Sequence, residues 1–229
     1  MEWFELHLPN MPLLKGKLDS SSIEYLWQRI EEAAEINKDA RSHLAGNISE
    51  SIYLEDKDNY FYENILKDIC RTYIDTYKGN MPSARNSFEP FDICRLVLKD
   101  FWVNSQRETE FNPTHNHGGV LSFVIWMKIP THWKEQYELP FSKGSNTPTS
   151  SDFQIMYTDV CGNVSGFRLP MSPEMEGEIL VFPSTMIHQV YPFYNCKEDR
   201  VSISGNLYFD SKVLEEIHEK EYNENFKVR

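Results

Sequence analysis

Short apolar or alternating runs fill the chain from Ile93 to Phe209: Ile93–Leu98, Phe101–Gln106, Leu121–Ile129, Phe153–Tyr157, Ile179–Phe182 and Val201–Phe209, bounded by Gly, Pro and Asn. Strands without crossover helices between them cannot build a parallel sheet. They must close into a sandwich or barrel, and their number fits a jelly roll. The first third reads differently. Ser20-Ser21-Ser22 followed by Ile23, Leu26, Ile30 and Ala33-Ala34 predicts a capped amphipathic helix, and Ile65, Ile69 and Tyr73 recur at helical spacing between Tyr60 and Tyr77. The expected fold class is α+β, a jelly roll with N-terminal supporting helices. The expected organisation is one domain over residues 1–229: a mainly helical part (1–90), the jelly-roll core (91–210) and a C-terminal helix or tail (211–229) with an acidic surface helix over Lys212–Lys220. Ser142–Asp152, rich in Ser, Thr, Gly and Pro, reads as a mobile loop and a candidate lid.

A chain of 229 residues, 40% of them hydrophobic, can bury the core of one full-sized domain. Its formal charge of -12 repels nucleic-acid backbones and favours neutral or cationic partners. No run approaches the roughly 18 apolar residues of a membrane span, and the opening Met-Glu-Trp-Phe-Glu lacks a basic leader. The expected setting is the cytoplasm, with neither a nucleic acid nor a membrane as partner. Cys70, Cys94, Cys161 and Cys196 are too scattered for a zinc knuckle or redox pair and read as reduced structural thiols.

The densest chemical signal is Phe111-Asn112-Pro113-Thr114-His115-Asn116-His117-Gly118-Gly119, directly before Leu121–Ile129. On a strand, side chains alternate, so His115 and His117 would share a face and present two imidazoles to one metal. The letters His-Asn-His also occur in endonucleases, but those need a basic surface that this chain lacks. His188 follows the strand-like Ile179–Phe182 and offers a third ligand from a separate element, leaving open positions on the ion. Arg200-Val201-Ser202-Ile203-Ser204-Gly205-Asn206-Leu207 alternates strictly, with Arg200, Ser202, Ser204 and Asn206 on one face. A solvent-facing strand reads the same way. Beside a metal ligand, however, a guanidinium flanked by hydroxyls suits a carboxylate, implying an anionic co-substrate.

These residues carry a family resemblance. Trp102-Val103-Asn104, Asn112-Pro113-x-His115-x-His117, Glu176-Gly177-Glu178 through Pro183, His188-x-Val190-x-Pro192 and Arg200-x-Ser202-x-Ser204-x-Asn206 together resemble the iron(II)/2-oxoglutarate oxygenases, most closely the prolyl-hydroxylase-like group common in tailed phages and marine bacteria. The resemblance spans about Phe101 to Phe209. It implies a double-stranded β-helix of the cupin-like type, a cytoplasmic setting in a bacterial or phage-infected cell, and iron(II) with 2-oxoglutarate and O2 as co-substrates. Ascorbate would be an optional addition. Carried over by position, His115 and His188 are iron ligands and Arg200 with Ser202 grips 2-oxoglutarate; His117 is read as the third ligand of the catalytic metal site, and Asn104, Gln106 and Asn206, ordinary strand polar residues on the alternative reading, are candidates to orient the keto acid or the ligands.

One departure from the family is His117, which stands where a carboxylate is usual and leaves the iron site one charge more positive. Two other arrangements stay open: Asp159 completing the site, or His117 with Gly119 forming an acid-less pair. Two other classes stay open as well, a keto-acid-independent three-His dioxygenase and a non-enzymatic metal-binding jelly roll. The primary substrate, a peptide or amino acid such as a prolyl residue, rests on the resemblance alone. Because only neutral imidazole binds metal, activity is expected to fall as pH drops below neutrality.

Overall fold

The structure is a computed structural model, and it describes residues 13–77 and 96–210. The residues expected to start the first strand (93–95), Cys94, the opening residues and the helix expected over Lys212–Lys220 lie outside that range. Ten strands form two antiparallel sheets: β1 (Leu14–Lys17), β2 (Glu50–Tyr53), β3 (Leu96–Gln106), β4 (Asn112–His115), β5 (Leu121–Lys128), β6 (Phe153–Thr158), β7 (Val164–Leu169), β8 (Glu178–Pro183), β9 (Ile187–Val190) and β10 (Arg200–Phe209). The larger sheet runs β1-β8-β5-β10-β3-β2 and the smaller β4-β9-β6-β7. This is the double-stranded β-helix.

The helix α1 (Ser20–Ile36) forms where the apolar spacing predicts it, but its cap lies one residue before the serine run. The Asp19 carboxylate accepts the Ser22 backbone N–H at 2.7 Å, satisfying one of the free donors of the first turn. Asn37 closes the helix in the left-handed conformation, φ 50°, which Asn tolerates better than most side chains. A second helical stretch starts as a π-turn over Tyr62–Leu66 and continues as α2 (Lys67–Tyr77). The Asp56 carboxylate holds its start, accepting the N–H groups of Phe61 at 2.7 Å and Tyr62 at 2.9 Å.

Both helices cover one face of the larger sheet. Leu26 and Ala33 of α1 and Cys70, Tyr73 and Ile74 of α2 join Phe101, Val103, Leu121, Phe123, Ile125, Val181, Ile203 and Leu207 in one buried cluster. The opposite face, carrying Val124, Trp126, Leu180 and Phe182, packs with Phe153 and Ile155 of the smaller sheet. Strand β5 is therefore buried on both faces, which explains why Leu121–Lys128 reads as a continuous apolar run.

The expected strands over Phe101–Gln106 and its predecessor are a single strand, β3. Its register against β10 shifts so that Asn206 faces Asp100 and Leu207 faces Leu98, leaving Lys99 as a bulge. Strands β1 and β2, drawn from the part expected to be mainly helical, pair with β8 and β3 as the outer edges of the larger sheet. Among the described residues strand β7 pairs only with β6.

Gly205 of β10 lies opposite Phe101 on β3 and Phe123 on β5. With Phe61 those rings form a cluster, Phe61 stacked on Phe101 at 5.4 Å and edge-on to Phe123 at 6.0 Å. A Cβ on Gly205 would sit 2.6 Å from the Phe123 ring and 2.7 Å from the Asp100 carbonyl oxygen. Gly205→Ala is therefore expected to overpack this cluster and cost about 1–3 kcal/mol in urea unfolding. An unchanged midpoint would show that the rings give way freely.

Candidate metal centre and carboxylate site

Strands β4 and β9 pair so that His115 lies directly opposite His188. His117 stands beyond the end of β4, in the crossing from the smaller to the larger sheet, so strand alternation does not place it. That crossing is fixed by backbone bonds: His117 N–H donates to Ser184 O at 2.8 Å and Val120 N–H to Leu207 O at 2.7 Å. Gly119 turns there at φ +98°, where a Cβ would lie 2.7 Å from Leu207 O. A glycine is required for so close an approach.

The three imidazoles converge. Their ring centroids lie 4.2 Å (His115–His188), 5.0 Å (His115–His117) and 5.0 Å (His117–His188) apart. One ligand nitrogen from each falls within 4.8 Å of the others, the only such metal-ligating cluster among the described residues. His115 Nδ1 lies 2.7 Å from Pro113 O and His188 Nδ1 3.0 Å from Met186 O. A carbonyl can only accept, so each Nδ1 carries the proton and each Nε2 keeps its lone pair free.

His117 Nε2 and His188 Nε2 face each other at 3.3 Å, as neighbouring ligands of one ion do at metal–nitrogen distances of about 2.1 Å. The donor set therefore fits a divalent transition metal, and iron is within its range. Burial, reinforced by the neighbouring imidazoles, pushes the pKa of His188 down to about 3 and that of His117 to about 4, and burial also lowers His115. The onset of protonation thus moves well below the neutral range expected from ordinary imidazoles.

These histidines line a cavity of about 180 Å³ that also takes in Arg200, Ser202, Ser204, Asn104 and Gln106. Among the described residues no Asp or Glu lines it. The alternating face of β10 therefore turns inward, and Arg200 is only 2% exposed. Its Nη2 donates to the carbonyl (3.1 Å) and hydroxyl oxygens of Ser151, and its guanidinium lies 5.0 Å over the Phe193 ring. Nε and Nη1 are buried with no partner. A buried donor without an acceptor costs about 1–3 kcal/mol, and an anionic oxygen reaching the guanidinium would remove that cost. Burial lowers the pKa of Arg200 to about 10, which leaves it charged at neutral pH.

Asn104 reaches the cavity, its Oδ1 accepting from the Ser51 hydroxyl at 2.6 Å. Asn206 does not line it. It sits behind the metal loop, accepting from Ser122 at 2.8 Å and donating to Asp100 at 3.0 Å, because the bulge at Lys99 lies beside it. Asp159 lies in the β6–β7 turn, its carboxylate accepting the N–H groups of Cys161 and Asn163, both at 2.9 Å, and it takes no part in the cluster. His115 joins His117 and His188 in the cluster, so the imidazoles that converge are three and not His117 and His188 alone.

Sequence reasoning overlooked two parts of the site. One is the wall of the cavity formed by residues 43–48, which the bridge between Asn47 and Phe111 and the Ser49 N–H to Glu110 Oε1 bond bring alongside. The other is the Ser151-Asp152 support of Arg200. The stretch Ser142–Asp152 ends in packed structure, with Ser151 and Asp152 both 0% exposed.

The fold and site together define a jelly roll whose cavity sets three converging imidazoles beside a buried guanidinium. Residues 100–206 match a protein-family model described as "Putative 2OG-Fe(II) oxygenase". This stretch, which contains all three histidines and Arg200, is similar to the 2-oxoglutarate/iron(II) oxygenases, an oxidoreductase family. Among solved structures it is similar to the non-haem α-ketoglutarate-dependent carbocyclase SnoK of nogalamycin biosynthesis (7% identity, 87% of this chain and 80% of that one, TM-score 0.52). It is similar also to the epimerase SnoN of that biosynthesis (11% identity, 87% and 77%, TM-score 0.51). A Pseudomonas putida prolyl-4-hydroxylase aligns at 14% identity over 87% of this chain and 93% of its own, with TM-score 0.48. Likeness at such identities extends to the fold and not to the substrate. No curated protein matches the sequence. No helix of the described residues is long and apolar enough to cross a membrane.

A stability prediction follows from the imidazoles. Unfolded histidines take up protons below about pH 6.5, whereas folded His117 and His188 stay neutral until about pH 4 and 3. Between those limits the unfolded chain binds more protons, so stability falls as pH falls. The metal-free protein should lose melting temperature steadily from pH 7 to pH 5, and His188→Leu should reduce that slope. A level profile in the natural protein would contradict the burial of neutral imidazoles.

Proposed function

We propose that the protein is an iron(II)- and 2-oxoglutarate-dependent dioxygenase that hydroxylates a C–H bond of a substrate carried in or at the mouth of this cavity. The observation that carries the reading is the pairing, within one acid-free cavity, of three neutral imidazoles with a buried guanidinium that has two unpartnered donors. His115, His117 and His188 would hold iron(II). Arg200, aided by Ser202, would bind the distal carboxylate of 2-oxoglutarate, and Asn104 would help to orient the keto acid.

When bound, the metal and keto acid supply the oxidising chemistry: one oxygen atom of O2 enters succinate as 2-oxoglutarate loses CO2, and the other becomes the product hydroxyl. The chain's own contribution is placement and dryness. The backbone carbonyls of Pro113 and Met186 fix the tautomers and ring planes of His115 and His188. Phe153, stacked 5.6 Å from His188, and Phe182, edge-on at 5.0 Å, exclude water from the ligand's inner side. Trp102 lies 5.7 Å from His117 and does the same for the third imidazole.

A keto-acid-independent three-His enzyme gives the free donors of Arg200 nothing to hold, so the 2-oxoglutarate reading is preferred. Prolyl and other amino-acid residues head the candidate substrates on the strength of the sequence resemblance. A cytoplasmic setting and ascorbate as a supporting reductant belong to the same proposal.

The direct test is succinate formation from 2-oxoglutarate with iron(II) and O2, alone and with a panel of proline-containing peptides and free amino acids. His188→Ala should abolish turnover through loss of iron affinity. Arg200→Ala should raise the KM for 2-oxoglutarate on the order of ten- to a hundredfold, the value of a lost charge-assisted pair of hydrogen bonds. Full iron affinity in the first variant, or an unchanged KM in the second, would refute the assigned roles.

A further inference from the structure

Asp152 is 0% exposed and follows directly on Ser151, the residue that holds Arg200 Nη2. A buried carboxylate beside a buried guanidinium ordinarily closes a bidentate ion pair, since each charge alone is costly. Here no hydrogen bond or ion pair joins the two, although Asp152 acts on Arg200 through space. The carboxylate is engaged elsewhere. The Tyr137 hydroxyl lies 2.8 Å from one of its oxygens and 2.7 Å from the other, and Arg168 Nη1 stands 3.8 Å away.

Tyr137 closes the short helix α3 (Trp133–Tyr137), which is anchored in turn by Gln136. The Gln136 amide donates to Tyr194 O at 2.9 Å and accepts Tyr194 N–H at 2.9 Å. The backbone around Asp152 is equally fixed: Ser151 N–H donates to Pro192 O at 2.8 Å and Tyr191 N–H to Asp152 O at 2.8 Å. Ser151 adopts φ +76°, a left-handed conformation that a non-glycine residue takes only when its surroundings enforce it.

We propose that Tyr137 and Asp152 are positioning residues for the carboxylate site: Tyr137 pins the Asp152 carboxylate clear of Arg200, so that the carboxylate balances the buried cation through space while Nε and Nη1 stay open for the co-substrate. The inference rests on the role of Arg200 proposed above. Burial pushes the pKa of the carboxyl up to about 6 against the opposing pull of Tyr137, Arg168 and Arg200. Neither residue touches a reacting atom. Their effect is exerted through the guanidinium.

The test is 2-oxoglutarate binding without turnover, on the full-length protein loaded with manganese(II), read from the fluorescence of Trp102 and Trp126, which line the cavity. Tyr137→Phe releases the carboxylate to close on a free donor of the guanidinium, and the Kd should rise on the order of tenfold, with KM following and kcat retained. Adding Asp152→Asn to that variant removes the competing charge, and the Kd should return toward that of the natural protein. Asp152→Asn alone should bind 2-oxoglutarate at least as tightly as the natural protein, which supplies the test should Tyr137→Phe fold poorly. An unchanged Kd in Tyr137→Phe, a double variant weaker than the single one, or weakened binding in Asp152→Asn alone would overturn the inference. If Arg200→Ala itself left the Kd unchanged, the role of Arg200 would fall instead.

Discussion

Strand β10 is held between β3 and β5 in the middle of the larger sheet, and that double pairing fixes both the core and the site. Its odd-numbered residues Val201, Ile203 and Leu207 pack into the cluster beneath the helices, while Arg200, Ser202 and Ser204 face the cavity. A slip of one residue would exchange the two sets, burying a guanidinium among leucines and phenylalanines. The register that builds the core is therefore the register that delivers Arg200 to the cavity. The aromatic cluster around Gly205 helps to hold it.

The second constraint is electrostatic. The chain carries a formal charge of -12, yet among the described residues no carboxylate lines the cavity. Local composition and global charge point in opposite directions, and the local one governs what binds. Three imidazoles kept neutral by burial, together with an arginine that retains its charge, leave the cavity positive once a divalent ion is held. Such a site favours a dianion without any help from the surface. The expectation of neutral or cationic partners, drawn from net charge, therefore says little about this cavity.

Much of the fold was legible because the central strands are buried on two faces or alternate cleanly. The runs expected for β5, β6, β8 and β10 end within one residue of the observed strands. The edge strands escaped. Leu14–Lys17 and Glu50–Tyr53 have only four residues each, and Val164–Leu169 is largely exposed, so none carries a strong periodic signal. The cap of α1 was misplaced because Asp19 competes with three adjacent serines for one geometric role.

By itself the sequence determined that the chain forms an antiparallel jelly roll with supporting helices, and that His115, His117, His188 and Arg200 are the residues to watch. Local patterns specify those things: period-two alternation, ligand residues at short spacing, a guanidinium among hydroxyls. Only the tertiary structure decided that His117 reaches the cluster from a loop, that Asn206 stands behind it, and that Ser151, Asp152 and Tyr137 surround the arginine. These relations join residues far apart in the chain through sheet pairing and loop packing. No local pattern encodes a distance between Tyr137, Asp152 and Arg200, because that distance exists only once two sheets have closed on one another.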